Sequence, residues 1–575
     1  MNLRKLLDQV SARGRGPLLA ALVALAAGLP AIFTLPATDR DESRFAEASA
    51  QMLETGDFTN IMFQAEPRSK KPVGIYWLQA ASVKTLSSVE RRQIWAYRIP
   101  SLLGAMLAAA ACAWGAAAFL PGWAATMAGA LLGTTAVLST EAALATTDAA
   151  LCGAVTLAMA ALGRLYLAAN GGTAAGWRTR TLFWVGLSAS VLLKGPIGPM
   201  VVLATMLVLA AWDRRIDWLG RLGWSWGPII LAAMVLPWAL AITVATDGAF
   251  WGAAIGGDLA PKLMGGQEGH GAPPGYFAAL SPVTLFPAVL LLPAGLAAGW
   301  RRRGEPAIRF ALCWLIPSWL IFELVPSKLP HYTLPTYGAL AWLMAAALAD
   351  PIGRAMRWTG AGLALLGAFA FAGLGLYAGA TYGGAASWIW AAVAALVYLA
   401  AAAAGARLLL RGRSAAAAAV ACGLGLAAHG VLAGALAPSL KPLWLSSRLA
   451  RTLARAGISP RQGLAESPVT IAGYAEPSAV FALGAHTQLG GAADAAQAIA
   501  DGRPAVVEGR DQAAFEKALA GDGASARLVG QVAGLDYSTG KPQSLRVYEP
   551  AADATDTAGA VLPPAAAGEA RPPPG

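Results

Sequence analysis

Long apolar stretches, each about as long as a membrane-spanning helix, recur along most of this chain. A helix crosses a bilayer with about 20 mostly apolar residues, and about thirteen stretches of the sequence meet that need. They are residues 17–36, 98–119, 122–141, 146–168, 181–194, 196–212, 226–246, 279–299, 307–325, 331–349, 358–379, 385–405 and 414–437. Charged residues make up 13% of the chain, against about 25% in soluble proteins. The sequence therefore predicts an all-α polytopic membrane protein.

The distribution of Lys and Arg predicts how these helices are oriented. Cytoplasmic loops are enriched in basic residues, and here such residues precede the first span and recur in alternate loops, such as 214–221 and 301–309. We expect a multi-pass protein of the bacterial inner membrane, with a cytoplasmic N-terminus and a periplasmic C-terminal region. This topology and contact with anionic membrane lipids account for much of the net charge of +11, so no nucleic-acid partner is expected.

Composition and pattern divide the chain into three parts. Residues 1–445 form the predicted transmembrane domain, with long external loops at 37–97 and 247–278. Residues 446–550 contain short strand-like runs, among them 467–474, 479–483, 504–508 and 544–548, and a helical pattern at 512–520. These predict a small extracytoplasmic α/β domain. The Ala- and Pro-rich residues 551–575 are expected to be disordered.

Four candidate catalytic residues stand at the external ends of predicted spans. Asp41, Glu42 and Arg44 follow the first span, where a carboxylate would act as a general base or orient the substrate. The alternative is that these acids are solvated and pair with a neighbouring arginine. Asp148 follows Thr147 at the start of the fourth span, where it would support the site or simply act as a helix N-cap.

Basic external residues are the candidates for binding a phosphate. Lys71 borders the membrane beside Pro72, and Lys194 lies between two spans at a Gly-Pro break. Lys328, His331 and Tyr332 form a third cluster. Each of them would neutralise a lipid-linked phosphate or contact its sugar. Ordinary contact with lipid headgroups, snorkelling and interfacial anchoring remain the alternatives.

The sequence gives little indication of a metal or a nucleotide cofactor. His270, beside Glu268, is a weak candidate metal ligand, because two such residues do not make a metal-binding pattern. The sequence lacks the phosphate-binding loops G-x-x-x-x-G-K-[ST] and G-x-G-x-x-G at a strand–helix junction. No cofactor is therefore expected, and a phosphate-bearing substrate outside the cytoplasm is most simply a lipid-linked one.

Six motifs in order resemble those of bacterial membrane glycosyltransferases, the group of the lipid A aminoarabinose transferases and the protein O-mannosyltransferases. Residues 41–47 (D-E-S-R-F-A-E) are similar to the D-E-x-R-Y-A-E signature of that group, and 71–77 to its K-P-P-x-x-Y-W segment. The further matches are residues 97–101, 147–148, 193–196 and 327–332. Two departures are Phe45 in place of the tyrosine, and Lys70 where the group commonly has a glutamate that helps to hold a metal.

This resemblance implies a GT-C fold with about thirteen helices and an active site at the outer membrane face. It implies a polyprenyl-phosphate sugar as donor, with lipid A, another envelope glycan or a protein as acceptor. Carried over, Asp41 is the catalytic acid/base or orienting residue, with Arg44 beside it and Asp148 in support. Lys71, Lys194, Lys328 and His331 would meet the donor. The alternatives are a transporter or flippase of a lipid-linked sugar and an oligosaccharide ligase or polymerase.

Overall fold

The chain folds into two compact units in a computed structural model that describes residues 14–265, 271–460 and 468–551. The first unit comprises Met1–Ser447 with two short later segments, Glu476–Ala485 and Gly534–Lys541. The second comprises Arg448–Ala475, His486–Ala533 and Pro542–Gly575. This division differs from the predicted boundary at residue 445, because the two short segments make most of their contacts within the first unit. Residues 552–575 lie outside the described part, so their predicted disorder stays a prediction.

The membrane part is a bundle of helices that vary widely in length. Its helices are α1 Gly16–Ile32, α2 Asp41–Thr55, α3 Gly74–Leu86, α4 Ile94–Ala116, α5 Gly122–Gly133, α6 Ala136–Ala142, α7 Asp148–Ala169, α8 Trp177–Lys194, α9 Ile197–Asp213, α10 Gly227–Ala245, α11 Ala249–Trp251, α12 Ala260–Met264, α13 Tyr276–Thr284, α14 Leu292–Arg301, α15 Pro306–Leu324, α16 Tyr337–Ala347, α17 Arg354–Tyr382, α18 Ala385–Leu410, α19 Ser414–Val431 and α20 Ala437–Ser439. Two π-helices, Gly252–Leu259 and Leu432–Leu436, precede α12 and α20, and strands β1 Met62–Phe63 and β2 Glu66–Pro67 pair antiparallel. Short 3-10 turns occur at Val89–Arg91, Asp217–Leu222, Ala288–Leu291, Leu334–Thr336 and Lys441–Leu443.

The predicted count of about thirteen spans is not confirmed. Among the described residues, seven helices are long and apolar enough to cross a membrane, or eight if α13 and the bent segment Ala288–Arg301 form one span. The predicted span 122–141 is divided into α5 and α6 at Thr134 and Thr135, and three other apolar helices are shorter than 18 residues. Hydropathy alone does not locate these breaks. The prediction of a polytopic helical membrane protein is confirmed.

Small residues let the helices that carry the site approach closely. A Cβ atom added to Gly104 in α4 would lie 2.4 Å from the Cα of Ala150 in α7. One added to Gly74 in α3 would lie 2.6 Å from the carbonyl oxygen of Leu192 in α8. Only glycine permits backbones this close. The first contact holds the start of α7 against α4, and the second holds the end of α8 against α3.

The later part of the chain adds helices α21 Leu445–Arg455, α22 Pro477–Leu483, α23 Ala492–Ala500 and α24 Gln512–Gly521, with a 3-10 turn at Gly509–Asp511. Its strands are β3 Thr470–Ala472, β4 Gln488–Gly490, β5 Ala505–Glu508, β6 Ala526–Asp536 and β7 Lys541–Pro550, in the sheet order β4-β3-β5-β7-β6. β3 is parallel to β4 and β5, and β5 is antiparallel to β7. The predicted small α/β domain is therefore confirmed as a fold.

The prediction of a strand at 479–483 is wrong. These residues belong to α22, which starts at a proline and ends before Gly484, whose φ is +114°. A short apolar run does not by its pattern distinguish a strand from a buried helix. The helix lies in the first unit, where the ring of Phe481 packs edge-on against Tyr97 of α4 at 5.3 Å between centroids.

Candidate active site

A cavity of about 240 Å³ lies where the segments that follow α1 and α10 meet the ends of other helices of the first unit. Its charged lining comes from seven separate stretches of sequence. The ionisable residues that line it are Asp39, Asp41, Glu42, Arg44, Arg68, Lys70, Lys71, Glu141, Asp148, Lys194, Asp258, Lys262, His331 and Tyr332. The sequence analysis predicted nine site residues besides His270. Eight of them line this cavity, and Lys328 does not. His270 itself lies outside the described residues.

Asp41 is the most accessible of the cavity carboxylates with a predicted role. It begins α2, where the partial positive charge of a helix N-terminus favours an acid. Its side chain is 67% exposed, and its Oδ1 lies 3.6 Å from Arg68 Nη2 and 4.0 Å from Arg44 Nη1. Two arginines thus flank an open carboxylate, which leaves it able to meet a substrate.

Glu42, the adjacent residue, is held inside the fold. Its two carboxylate oxygens accept hydrogen bonds from Arg98, at 2.8 Å from Nε and 3.0 Å from Nη2. They also accept from the Thr38 amide and hydroxyl and from the Ala145 amide. Burial would raise the pKa of Glu42, but Arg98 and these bonds lower it below its usual value. The geometry therefore shows Glu42 holding the loop before α2, and its predicted catalytic role stays a prediction.

Arg68 is a site residue that the sequence analysis missed. Its Nε donates to the Tyr76 hydroxyl at 3.3 Å, and its guanidinium lies 4.9 Å from the centre of the Phe45 ring. Phe45 therefore contributes a cation–π contact at the position where the resembling enzymes carry tyrosine. A sequence signal did exist, because Arg68 precedes Lys70 and Lys71 in one basic segment.

Lys71 shares one carboxylate with a second lysine, which lies in the segment that follows α10. Asp258 Oδ2 accepts from Lys71 Nζ at 2.9 Å, and Asp258 Oδ1 accepts from Lys262 Nζ at 2.6 Å. Burial lowers the pKa of Lys71 to about 8, although Asp258 opposes this shift. The sequence analysis missed Asp258 and Lys262. Their i, i+4 spacing in a predicted external loop was the available signal.

A second charged group joins the ends of α6, α7 and α8. Lys194 Nζ donates to Asp148 Oδ1 at 2.5 Å and lies 5.1 Å from the centre of the Tyr332 ring. His331 Nδ1 lies 3.1 Å from Glu141 Oε1, and His331 Nε2 lies 3.7 Å from Asp148 Oδ1. The N-cap alternative for this helix start is not supported, because α7 begins at Asp148 without a side-chain capping bond.

Lys328 was predicted to meet the donor, and the structure places it outside the cavity. Its ammonium group donates to the carbonyl oxygens of Ala272 at 2.6 Å and Val325 at 2.7 Å, and the residue is 3% exposed. It does not line the cavity. A buried ammonium needs hydrogen-bond acceptors, and here backbone carbonyls supply them.

A group of three carboxylates lies beside the cavity, within the first unit. Asp39, Glu476 and Asp536 each offer an oxygen within 4.8 Å of the others, a spacing that could hold a metal ion. Burial raises the pKa of Asp39 to about 6 and that of Glu476 to about 7, and repulsion from Asp536 adds to both shifts. Retained protons therefore reduce the repulsion within this acidic trio (Asp39, Glu476 and Asp536) near neutral pH.

Comparison with known proteins finds similarity to glycosyltransferases. The family model described as dolichyl-phosphate-mannose-protein mannosyltransferase matches residues 18–251. An undecaprenyl phosphate-alpha-4-amino-4-deoxy-L-arabinose arabinosyl transferase of Pseudomonas paraeruginosa is 29% identical over 58% of this chain and 61% of its own length. The one from Pectobacterium carotovorum is 28% identical over 60% of this chain and 63% of its own. The chain thus matches about three fifths of the length of these relatives.

The fold is shared over almost the whole chain with a solved structure. The crystal structure of ArnT from Cupriavidus metallidurans bound to undecaprenyl phosphate aligns with 93% of this chain over 98% of its own length. The TM-score is 0.74 and the sequence identity is 19%. The apo form of the same enzyme gives a TM-score of 0.72. The predicted resemblance to these membrane glycosyltransferases and the predicted GT-C fold are thereby confirmed.

Proposed function

We propose that this protein is a membrane glycosyltransferase that moves a sugar from a polyprenyl-phosphate donor to an acceptor outside the cytoplasm. The observation that carries the proposal is the combination of groups in the cavity: the open carboxylate of Asp41 faces the same space as Lys71, Lys194 and Lys262. Such a site suits a substrate with a phosphate to be neutralised and a second group to be oriented. The similarity to aminoarabinosyl and mannosyl transferases supports the same function.

The proposed step is a displacement at the anomeric carbon of the sugar. The bond from that carbon to the phosphate oxygen breaks, its electron pair stays on the polyprenyl phosphate, and an acceptor oxygen forms the new bond. Lysine side chains near the departing phosphate stabilise its growing charge. Where the acceptor is a hydroxyl, its proton passes to Asp41. An acceptor phosphate is already ionised, and Asp41 together with Arg44 and Arg68 would then only position the reactants.

The names of the relatives suggest which donor to test first. They specify undecaprenyl phosphate-linked 4-amino-4-deoxy-L-arabinose, and the acceptors that we propose are lipid A, another envelope glycan or a protein. We propose that the cavity faces the periplasm, with the N-terminus in the cytoplasm of a bacterial cell. The distribution of basic residues supports that orientation.

Metal-independent catalysis is also part of the proposal. Four lysines and two arginines line the cavity and can supply the charge stabilisation that a metal would otherwise provide. Transfer should therefore keep nearly full activity after exhaustive treatment with EDTA. Loss of activity that returns on adding one divalent ion would contradict this, and Asp536→Asn and His270→Ala would then show which predicted ligand group holds the ion.

A transporter or flippase of a lipid-linked sugar is the main alternative. A carrier of this kind places its charged groups near the middle of the bilayer between symmetric halves. Here Asp41, Lys71 and Lys262 come from loops or loop helices, while Asp148 and Lys194 stand at helix ends. This arrangement favours a site at the membrane face and therefore an enzyme.

The function is tested with the purified full-length protein in lipid nanodiscs. Undecaprenyl phosphate carrying a radiolabelled sugar is supplied with extracted lipid A, with other envelope glycans or with envelope proteins. We expect label in one acceptor class and the release of one polyprenyl phosphate for each sugar transferred. In sealed proteoliposomes, label that changes leaflet while still attached to its lipid would identify a transporter and overturn the proposal.

A further inference from the structure

We propose that Glu141 is a positioning residue that holds His331 as a doubly protonated imidazolium, so that its Nε2–H is ready to bind the donor phosphate. This inference rests on the proposed function, because it assigns a role within the same phosphate-binding cavity. Neither the sequence motifs nor the comparisons single out Glu141. It is the last residue of the predicted apolar span 122–141, and an acid that borders such a stretch is often functional.

Both oxygens of the Glu141 carboxylate are engaged. Oε2 accepts a hydrogen bond from the Thr146 hydroxyl at 2.8 Å, and Oε1 lies 3.1 Å from His331 Nδ1. The residue is 6% exposed and belongs to the short helix α6. Its position is therefore fixed by its own helix and by the loop before α7, and only Oε1 is available to the imidazole.

The imidazole has a carboxylate on each side. Nδ1 must carry a hydrogen to donate to Glu141, and Nε2 faces Asp148 Oδ1 at 3.7 Å. Two acidic neighbours favour a proton on both ring nitrogens. The backbone of His331 is fixed as well, because its carbonyl accepts from the Leu334 amide at 3.0 Å.

The two sides of the ring are not equivalent, and this is what makes Nε2 available. A separation of 3.7 Å is too long for a hydrogen bond, and Asp148 Oδ1 is already bonded to Lys194. Nε2–H therefore has no close acceptor in Asp148, while Nδ1–H is held by Glu141. A phosphate that enters beside Lys194 would meet this second donor already oriented.

The charges around His331 determine how it responds to pH. The groups that face it are Glu141 from α6, Asp148 from α7, Lys194 from α8 and the adjacent Tyr332 ring. Burial alone would lower the pKa of His331, but Asp148 and Glu141 outweigh burial and raise it, while Lys194 opposes them. The positive charge is present below the His331 pKa and is lost as the pH rises through it. Removing the Glu141 charge should move that loss to lower pH.

The test measures binding of undecaprenyl phosphate to the full-length protein in nanodiscs between pH 5.5 and 9. The variants are Glu141→Gln, which keeps the shape but not the charge, Glu141→Asp, His331→Gln and the double variant. Lys71 also titrates in this range, so the His331→Gln curve supplies the background on which the histidine acts. Thermal unfolding of each variant checks that it is folded.

We expect Glu141→Gln to bind like the wild type at pH 5.5 and several-fold more weakly near pH 7.5. Glu141→Asp should recover part of the difference, and Glu141→Gln should have little effect in the His331→Gln background. A loss of affinity in Glu141→Gln that is equal at every pH, or that persists without His331, would overturn the inference and leave Glu141 a structural residue. If the folded wild type does not bind undecaprenyl phosphate at all, the proposed function fails together with this inference.

Discussion

Asp41 and Glu42 are neighbours in sequence, yet the fold gives them opposite environments. Glu42 points inward, where Arg98 and three further donors hold it, while Asp41 stays 67% exposed in the cavity. A carboxylate that accepts five hydrogen bonds has little capacity left for a substrate. Its position fixes the backbone from which Asp41 projects, so the two acids contribute to the site in different ways.

Asp41→Asn should therefore reduce sugar transfer to a hydroxyl acceptor by about 100-fold or more, the range in which general bases act. The amide keeps the size of the side chain but removes its charge and its ability to take a proton. The measurement is the initial rate of transfer by the purified variant, with its unfolding temperature as a check on folding. Asp522→Asn, an exposed acid in the second unit, is the matched control. A wild-type rate in Asp41→Asn would make Asp41 only a solvated acid.

Lys194 and Lys328 were both predicted to bind the donor, and the structure separates them. Lys194→Ala should raise the KM for the donor more than that for the acceptor, because its ammonium lies in the cavity beside Asp148. Lys328→Ala should leave both KM values near those of the wild type and lower the free energy of unfolding by about 1–3 kcal/mol, since two buried carbonyls lose their donor. Separate titration of each substrate and thermal unfolding distinguish the two. A donor-specific defect in folded Lys328→Ala would restore the original prediction.

At the scale of elements, the site depends on short segments that are held together by hydrogen bonds and an ion pair. The members of the acidic trio come from three segments of the first unit. Asp39 precedes α2, and the other two acids belong to the later segments Glu476–Ala485 and Gly534–Lys541. Asp39 accepts a hydrogen bond from Ser478, and the Tyr537 hydroxyl accepts one from the Asp39 amide at 2.7 Å. Arg40 Nη2 lies 3.7 Å from Glu476 Oε1. These contacts support the loop from which α2 and Asp41 begin.

The acidic trio predicts a pH dependence of stability. The pKa values of Asp39 and Glu476 rise from 3.8 to about 6 and from 4.5 to about 7. In that window the folded protein binds more protons than the unfolded chain, so the free energy of unfolding falls as the pH rises. The contribution is fully present below about pH 4 and is lost above about pH 7. Asp536→Asn removes one source of repulsion and should weaken this dependence.

Thermal unfolding in detergent between pH 5 and 8 measures this effect. The wild type should lose more stability over that range than Asp536→Asn does, and Asp522→Asn should behave like the wild type. Equal slopes for all three proteins would mean that the acidic trio does not titrate in this way. A rise in the wild-type unfolding temperature on adding a divalent ion, absent in Asp536→Asn, would show that the group binds a metal.

At the scale of the whole molecule, the sequence indicated the fold class and most of the cavity but few of its pairings. Hydropathy predicted a helical membrane protein, and ordered motifs pointed to Asp41, Lys71, Asp148, Lys194 and His331, because each motif is local in sequence. Pairings are not local. Lys71 meets Asp258 almost 190 positions later, and the break that turns Glu141 toward His331 lies inside an apolar run. Lys328 is a basic residue in a motif, as a phosphate-binding residue would be. Only the fold shows that its ammonium group is bonded to backbone carbonyls.

The orientation of the molecule in its membrane decides whether the cavity can meet an acceptor outside the cytoplasm. The distribution of basic residues predicts that the loop at Gly265 and the second unit lie outside, and that the loop at Gly304 lies inside. Single cysteines at Gly265, Ala493 and Gly304 in a cysteine-free background test this. Ala493 and Gly304 are exposed, and the four native cysteines are buried and not disulfide-bonded, so their removal leaves the exposed surface largely unchanged.

In intact cells with a permeabilised outer membrane, an impermeant maleimide should label the cysteines at Gly265 and Ala493 but not the one at Gly304. After lysis, Gly304→Cys should label as well, which shows that its thiol is reactive. The reverse pattern would invert the topology, place the cavity on the cytoplasmic side and remove the basis for an external acceptor.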